Sequence, residues 1–414
     1  MLFLQADTVC PYRVQNRFYV YFREDIPLNF IRKVMRLILR PVALVWFRLR
    51  NNLTPKKNSR VLFIDAAFRQ ENCWALMEAM SELEGLDLVY YAEAQRPGFL
   101  PVGVGWCMDE KKARRIFFSS RFVFYSHAHL HRAYVPGRDQ TVVNMWHGTP
   151  MKDISSLQEG VFREKDAFSY VLSASPEVDG LMLRTFGCPR EKTLTIGYPR
   201  NDWLFSVKDV FSPLGIDRGA FTHVAMWMPT FRKSSSLGRS DSDRDFPVLT
   251  PENVFALDKA LREREILLVI KPHPAADALK LMPERLSNII ILTNDSLGAA
   301  GIQAYELLGR CDILLTDYSS VYFDFLITGK PILFVFDDFE SYKSGLGFFF
   351  KDPLAVMPGP KAHTVGELLE ALDALLGGED MYVEERKAMN KRFNLYSDGK
   401  NRARIIFHLG LAHE

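Results

Sequence analysis

The feature of this sequence that most restricts its fold is the regular alternation, from residue 60 onwards, of short apolar runs with longer stretches of helical pattern. Runs as apolar as these are typical of strands that are buried on both faces of a parallel sheet. Helical stretches such as 74–83, 251–264 and 365–376 connect them, so the sequence predicts an α/β fold with parallel sheets. The predicted strands are 61–65, 86–91, 122–125, 142–146, 170–172, 194–196, 224–228, 267–271, 289–292, 313–315 and 332–336.

The predicted strands form two blocks, separated by the polar stretch SVKDVFSPLGIDRG at 206–219. A chain of 414 residues is also too long for one ordinary hydrophobic core. We therefore expect two doubly wound, Rossmann-like domains, over 60–205 and 220–390. An arm over 1–59 precedes them, and a C-terminal helix within 391–414 is expected to pack back on the N-terminal domain. Because ligands of open α/β sheets bind at the carboxyl ends of the strands, two facing domains predict a central cleft.

The N-terminal arm is strongly basic, since residues 11–60 hold twelve Lys/Arg and two Asp/Glu. Its stretch 30–50 mixes large apolar side chains with arginines, and Pro41 and the charges interrupt the apolar run, so neither a membrane-spanning helix nor a signal peptide is expected. We expect an amphipathic helix at an anionic membrane surface, anchored by Trp46 and Phe47. The alternative is a basic helix packed on its own protein. Nucleic-acid binding is not expected, because no binding motif accompanies the charge.

The five cysteines are far apart in the sequence and form no cluster with histidines. Neither a zinc site nor a disulfide framework is indicated, so a reducing compartment is expected. The tract SHAHLH at 126–131 resembles a metal-binding run, but no carboxylate or cysteine lies nearby. We interpret it as structural, with His127 as a weak candidate. No metal site and no cofactor are predicted, while a requirement for a divalent metal remains an open alternative.

Polar residues follow directly after five of the predicted strands. The five segments are HGTP (147–150), GYPRND (197–202), PTFRK (229–233), PHP (272–274) and TDYSS (316–320). Together they supply two histidines, several cations, hydroxyl groups and backbone N–H donors at the edges where ligands of such sheets bind. This combination suits an anionic ligand that carries phosphate groups.

The segment 312–336 is the most informative of these, because it has the pattern of a strand, a turn, a short helix, a glycine and a second strand. Ser319 or Ser320 occupies the expected N-cap, and Gly329 occupies the expected left-handed C-cap. A helix start at this edge presents backbone N–H groups and the positive end of the helix dipole to an anion. In the alternative interpretation, which is compatible with the first, the serines and Thr316 only cap the helix.

Two histidines at strand ends are candidates for catalysis. His147 follows the run VVNMW, and His273 lies between two prolines that fix its backbone. Lys271 precedes His273 by two residues and adds a cation to the same strand end. A loop histidine that is satisfied by backbone carbonyls is the alternative for His273.

Two arginines at strand ends, Arg200 and Arg232, are candidates for bidentate contact with phosphate. The alternative is that both lie on the surface and form ion pairs. Asp202 and Glu191 are the expected partners in that case.

The order and spacing of five motifs resemble a known family. The motifs are WHGTPMK, GYPRNDWL, MPTFR, KPHP and TDYSSVYFDFLITGKPILFVFDDFESY, and the family is the CDP-glycerol glycerophosphotransferases of teichoic-acid and capsule synthesis, the TagB/TagF group. The resemblance extends from about Val61 to the tail FNLYSDGKNRAR at 393–404. It implies a GT-B fold, in which an N-terminal Rossmann-like acceptor domain and a C-terminal Rossmann-like domain that binds the CDP donor face a central cleft.

The resemblance also implies a reaction, in which an alditol phosphate, usually glycerol phosphate, passes from a CDP-activated donor to a hydroxyl of a lipid-linked saccharide or glycerol-phosphate acceptor, releasing CMP. It implies a peripheral protein at the cytoplasmic face of the cell membrane. The two histidines implicated in catalysis in the family correspond to His147 and His273. The implied substrate-binding residues are Gly148, Thr149, Arg200, Asn201, Arg232, Lys271, Thr316, Asp317, Ser319 and Ser320.

We expect His147 to act as general base for the acceptor hydroxyl, oriented by Asp65 or Asp153. We expect His273 and the helix start to stabilise the leaving CMP, and the roles of the two histidines are interchangeable. The sequence departs from the family pattern at Phe231, where a tryptophan is usual, and in KPHP, where Lys-Leu-His-Pro is frequent. The extra domain of the polymerising members is not seen, so priming and polymerising activities both remain open. The alternative functions are glycosyl transfer from a nucleotide sugar and a non-catalytic, membrane-associated role in envelope assembly.

Overall fold

The structure is a computed structural model of the chain. It describes residues 45–66, 68, 71–126, 135–152, 167–230, 233–234, 239–240, 246–272, 286–345 and 347–411. Two parallel β-sheets with connecting helices make up this part of the chain, so the predicted α/β class is confirmed. His127, Asp153, Arg232, His273 and most of the basic arm lie outside the described residues.

The first sheet has seven strands, and every described pairing in it is parallel. Its strands are β1 (Lys57–Ile64), β2 (Asp87–Tyr91), β3 (Gly105–Cys107), β4 (Ser120–Tyr125), β5 (Thr141–Asn144), β6 (Tyr170–Ser173) and β7 (Thr193–Thr195). The helices of this half are α1 (45–53), α2 (Asn72–Ser81), α3 (Glu110–Ser119) and α4 (Pro176–Phe186). Helix α4 is capped at both ends, because the Ser175 hydroxyl accepts a hydrogen bond from the backbone N–H of Val178 and Gly187 ends the helix in the left-handed conformation.

The second sheet has six strands, and they are also paired in parallel. Its strands are β8 (His223–Met228), β11 (Ile266–Ile270), β12 (Ile289–Ile291), β13 (Ile313–Thr316), β14 (Ile332–Val335) and β15 (Lys361–Ala362), and a separate antiparallel pair consists of β9 (Lys233–Ser234) and β10 (Arg239–Ser240). The helices of this half are α5 (Val254–Glu263), α6 (Asn294–Ala299), α7 (Ala304–Arg310), α8 (Val321–Phe325), α9 (Phe339–Gly345), α10 (Val365–Leu376), α11 (Val383–Phe393) and α12 (Asn401–His408).

Both sheets reverse their strand order at one point. The first sheet has the order β3-β2-β1-β4-β5-β6-β7, and the second has the order β12-β11-β8-β13-β14-β15. Each is therefore a doubly wound sheet whose order reverses beside its first strand, between β1 and β4 in one and between β8 and β13 in the other. Ligands of such sheets bind outside the carboxyl ends of the strands at this reversal.

The C-terminal segment returns to the elements of the first sheet. The carboxylate of Asp202 accepts hydrogen bonds from the backbone N–H groups of Asn401 and Arg402, at 2.9 and 2.8 Å. The backbone N–H of Leu395 donates to the carbonyl of Ala174 at 2.8 Å. Asp202 therefore holds the start of α12 in place. The division of the chain into domains at the predicted residues remains our proposal.

Helix α1 is the described end of the basic arm. Its Phe47 ring packs against Phe118 of α3, and Asn51 donates a hydrogen bond to the carbonyl of Val135 at 2.7 Å. Trp46, in contrast, is 49% exposed. The Phe47 ring thus packs between α1 and α3, as the alternative of a helix packed on its own protein predicts, whereas Trp46 is exposed.

Candidate active site

A cavity of about 390 Å³ lies between the carboxyl ends of the two sheets. The loop after β5 lines it from the side of the first sheet, and the ends of β8 and β11 and the start of α8 line it from the side of the second. The predicted residues on its wall are His147, Gly148, Thr149, Arg200, Lys271, Ser319 and Ser320. Segments that are far apart in the sequence therefore meet in one cleft.

Three further predicted residues lie behind this wall and are buried. Asn201 is 2% exposed, and Thr316 and Asp317 are 0% exposed. The hydroxyl of Thr316 donates to the carbonyl of Met228 at 2.9 Å, and both carboxylate oxygens of Asp317 accept from the backbone N–H of Thr230 at 3.0 Å. These contacts join the ends of β13 and β8 where the strand order reverses. Their geometry favours a role in holding the wall, while direct substrate contact remains a prediction.

The backbone before His147 is held in a conformation that L-residues rarely adopt. Trp146 has a φ of +50°, and its N–H donates to the side-chain oxygen of Asn144 at 3.0 Å. From behind, the amide of Asn72 donates to the carbonyls of Met145 and Trp146, at 3.2 and 3.0 Å. A strained residue persists only where its surroundings determine its conformation. The direction in which the chain enters His147 is therefore set by buried side chains.

The Trp146 ring is both part of the cavity wall and part of the core. It lies 3.9 Å from the His147 ring between centroids and meets Phe186 of α4 edge-on at 4.8 Å. The indole thus lies against the imidazole, with the two ring planes tilted by 36° to each other.

Gly148 fits where no other residue type fits without strain. Its φ of +113° is disfavoured for L-residues, and a Cβ at this position would lie 2.6 Å from Nη2 of Arg200 and 3.6 Å from Oγ of Ser320. The glycine therefore allows the loop to approach a guanidinium from the first sheet and a hydroxyl from the second at the same time.

Arg200 is buried beside this glycine, although the alternative prediction placed it on the surface. Its Nη1 donates to Glu71 and its Nη2 donates to Asp324, both at 2.8 Å. Burial by itself lowers the pKa of Arg200, but Tyr305, Asp324 and Glu71 outweigh burial and raise it above its ordinary value. The predicted surface pairing with Asp202 or Glu191 is thus wrong, because Arg200 is enclosed by partners distant in sequence.

Ser320 directly precedes α8, as predicted, but its side chain makes no capping hydrogen bond within the described structure. The predicted N-cap position is therefore confirmed for Ser320, whereas the alternative in which its hydroxyl only caps the helix is not supported. Ser320 lies on the cavity wall. Gly329 ends the following 3₁₀ turn with a φ of +70°, as its predicted role requires.

Sequence reasoning missed several residues of the site. Glu71, Lys152 and Tyr305 line the cavity, and Asp324 is buried directly behind it. Lys152 and Asp324 belong to motifs already quoted, so their motifs were the available signal. Glu71 and Tyr305 belong to helical stretches without unusual composition, and only the folded chain brings them to the site.

Among the residues that the structure describes, no group of three or more His, Cys, Asp or Glu side chains is arranged to hold a metal ion. The described wall carries hydroxyl groups, the ammonium groups of Lys152 and Lys271, an imidazole and the guanidinium of Arg200, while Glu71 is its carboxylate. Such a wall binds anions by hydrogen bonds and charge.

Comparison with known proteins gives consistent results. A family model described as CDP-Glycerol:Poly(glycerophosphate) glycerophosphotransferase matches residues 46–409. The teichoic acid glycerol-phosphate transferase of Staphylococcus aureus (strain NCTC 8325 / PS 47) is 27% identical over 286 residues, which cover 64% of this chain and 70% of the relative. The teichoic acid glycerol-phosphate primase of Bacillus subtilis (strain 168) is 24% identical over 314 residues, which cover 71% of this chain and 74% of the relative.

Among solved structures, the wall teichoic acid polymerase TagF superimposes with a TM-score of 0.72. The match covers 94% of this chain and 98% of that chain, at 20% identity. At this identity the likeness concerns the fold, and it supports the predicted GT-B type.

Proposed function

The chain belongs to the CDP-glycerol:poly(glycerophosphate) glycerophosphotransferase family and is a transferase of phosphate-containing groups, and from this premise we propose its reaction and its site. It transfers an alditol phosphate, glycerol phosphate in the first instance, from a CDP-activated donor to a hydroxyl of a lipid-linked acceptor and releases CMP. This reaction is a step in the synthesis of a teichoic-acid-like or capsular polymer.

One observation carries this proposal: the cleft brings His147 from the first sheet to Lys271 and the serines 319 and 320 from the second. A diphosphate donor needs cations and hydrogen-bond donors, and the acceptor hydroxyl needs a base. Phosphoryl transfer otherwise requires little covalent help from a protein, because positioning and the stabilisation of negative charge supply most of the catalysis.

In the proposed mechanism the imidazole of His147 accepts the proton of the acceptor hydroxyl, because histidine changes its charge near neutral pH. The acceptor oxygen then bonds to the phosphorus of the alditol phosphate, and the bond from that phosphorus to the oxygen shared with CMP breaks. Lys271, Ser319 and Ser320 stabilise the diphosphate and the leaving CMP. His273, which lies outside the described residues, shares this second task in our proposal, and the two histidines remain interchangeable in their roles.

The reaction is tested by mass spectrometry of the acceptor. Purified protein and a lipid-linked disaccharide are incubated together with one donor at a time. The donors are CDP-glycerol, CDP-ribitol, UDP-sugars and GDP-sugars. We expect the acceptor mass to increase by one or a few alditol phosphate units with a CDP-alditol, and the number of units distinguishes priming from polymerisation. An acceptor that gains a hexose instead identifies a glycosyltransferase, and an unchanged acceptor with every donor identifies a non-catalytic protein.

We propose that helix α1 holds the protein at the cytoplasmic face of an anionic membrane. Its exposed side chains include Val45, Trp46, Leu49 and Leu53, which are 49% to 79% exposed, and Arg48 and Arg50 lie on the same helix. An apolar face beside cationic side chains is typical of interfacial helices. No helix in the described part of the chain has the length and apolarity to cross a membrane.

The membrane proposal predicts that the double variant Trp46→Glu/Leu49→Glu loses binding to vesicles that contain anionic lipid. In the proposed bound state both side chains are buried in the membrane interface, so their replacement is expected to weaken binding by at least about tenfold. Added salt is expected to weaken binding of the unaltered protein. Co-sedimentation measures both effects. Val207→Glu is the matched control, since Val207 is 88% exposed and is remote from α1 in the sequence. Equal binding of the double variant and the control contradicts the proposal.

A further inference from the structure

We propose that Arg200 is a positioning residue, which fixes the peptide between His147 and Gly148 against the second sheet and is not a ligand of the donor's phosphates. This inference rests on the proposed function of His147, and it replaces the phosphate contact expected for Arg200 from the sequence.

The contacts of the guanidinium are directed to the protein. Both hydrogens of Nη2 are used, one on the carbonyl oxygen of His147 at 2.7 Å and one on Asp324 at 2.8 Å. Nη1 donates to Glu71 at 2.8 Å. The Arg200 side chain is 5% exposed, and its guanidinium carbon lies 4.8 Å from the centre of the Tyr305 ring. Nε has no hydrogen-bond partner within the described structure. Both bidentate arrangements of a guanidinium, Nη1 with Nη2 and Nε with Nη2, nevertheless need a hydrogen of Nη2, and both of these are occupied.

The local charge also opposes a phosphate at this place. Arg200 carries one positive charge, while Glu71 and Asp324 each carry a negative charge within 2.8 Å of it. The three side chains together therefore present a net negative charge, which repels a diphosphate. Lys271 and the two serines are better placed for the donor, since they lie on the wall from the side of the second sheet.

Arg200 instead connects the two sides of the cleft. Arg200 lies in the 3₁₀ helix Pro199–Phe205, which follows β7 of the first sheet. Asp324 lies in α8, which follows β13 of the second sheet and begins directly after Ser320 on the cavity wall. Asp324 is held in turn, because the Tyr305 hydroxyl donates to it at 2.6 Å and the Asn201 amide donates to it at 3.2 Å. One buried arginine thereby links α8 to the carbonyl of His147 by two hydrogen bonds from the same nitrogen.

This arrangement predicts how the reaction depends on Arg200. Without the two hydrogen bonds from Nη2, the loop that carries His147 is no longer tied to α8. The imidazole is then expected to move out of the position that the reaction requires. A displacement on the order of 1 Å reduces the rate of a positioned reaction by about 100-fold. Binding of the donor is expected to change little, because its phosphates touch other groups.

The test compares Arg200→Lys with the unaltered protein in steady-state release of CMP. We expect kcat to fall by about 100-fold while KM for CDP-glycerol stays within about threefold. A second measurement is the NMR spectrum of protein labelled with ¹³C in its histidine rings. The signal of His147 is identified by its absence from the spectrum of His147→Ala. We expect Arg200→Lys to shift that signal. A rise in KM at unchanged kcat makes Arg200 a donor ligand and overturns the proposal, as does an unshifted His147 signal with normal turnover.

Arg386→Lys is the matched control. Arg386 is also buried, at 2% exposure, and is paired with Asp380 in the C-terminal part of the chain, outside the cavity wall. It is expected to leave kcat and the His147 signal unchanged, which separates the loss of a buried arginine from the loss of positioning.

Two milder variants decide the matter if Arg200→Lys does not fold. Asp324→Asn keeps the shape of the partner and removes its charge, and Tyr305→Phe removes only the hydroxyl bonded to Asp324. Both are expected to lower kcat at nearly constant KM, and normal kcat in both overturns the proposal. If the unaltered protein releases no CMP, the proposed function fails, while the His147 signal still tests the contact with Arg200.

Discussion

Replacing His147 by alanine is expected to lower the release of CMP from CDP-glycerol by about 10²- to 10⁴-fold, the range typical for loss of a general acid or base. The expectation rests on the place of His147, which lines the cavity on a loop that Asn72, Asn144 and Trp146 hold in one conformation. Alanine removes the imidazole and leaves that loop intact, so binding of the donor is expected to persist.

Steady-state kinetics of the folded variant measures this effect, with folding checked by circular dichroism. His408→Ala is the control, because His408 is exposed at the end of α12 and its ring lies edge-on to Tyr170, outside the cavity wall. Near-normal turnover of folded His147→Ala removes His147 from the mechanism and assigns the base to another group.

Replacing Gly148 by alanine is expected to destabilise the protein by about 1–3 kcal/mol, the usual cost of strain or overpacking at one site, and to reduce turnover strongly. The added Cβ would lie 2.6 Å from Nη2 of Arg200, and the φ of +113° is unfavourable for alanine. Either the loop moves away from Arg200 or the guanidinium leaves its hydrogen bonds to His147 and Asp324, and both changes disturb the position of His147.

Urea unfolding and CMP release measured on the same preparation test this prediction. Gly180→Ala is the matched control, because Gly180 lies inside α4 and a Cβ there meets no described atom within 4 Å. That control is expected to stabilise the protein by about 0.5–1 kcal/mol, since alanine is the better helix former. A Gly148→Ala protein as stable and as active as the unaltered one contradicts the tight approach of the loop to Arg200.

Much of the fold could be predicted from the sequence, because buried parallel strands are marked by continuous apolar runs. The strands in the middle of each sheet, such as β5 and β13, were predicted close to their observed positions. The edge strand β3 was missed, because Gly105–Cys107 is only three residues long and begins with a glycine. Short edge strands are defined by their neighbours and leave little trace in their own sequence.

The residues of the candidate site that directly follow a strand could be predicted from the sequence. The residues that reach it through contacts distant in sequence could not. The rule that ligands bind at strand ends gave His147, Lys271 and the two serines. The partners of Arg200 could not be found in the same way, because Glu71 and Asp324 are 129 and 124 residues away from it in the sequence. The expected partners were near in sequence, and the fold directs the guanidinium away from them.

The identity of the released nucleotide tests the central claim most directly. Transfer of an alditol phosphate breaks the bond between its phosphorus and the oxygen shared with CMP, whereas glycosyl transfer releases a nucleoside diphosphate. Purified protein is incubated with CDP-glycerol and a lipid-linked acceptor, and the nucleotides are separated by ion-exchange chromatography. We predict CMP, released in equal amount to the glycerol phosphate that appears on the acceptor and absent when the acceptor is omitted. Release of CDP, or transfer to the acceptor from a nucleotide sugar but not from CDP-glycerol, would contradict it.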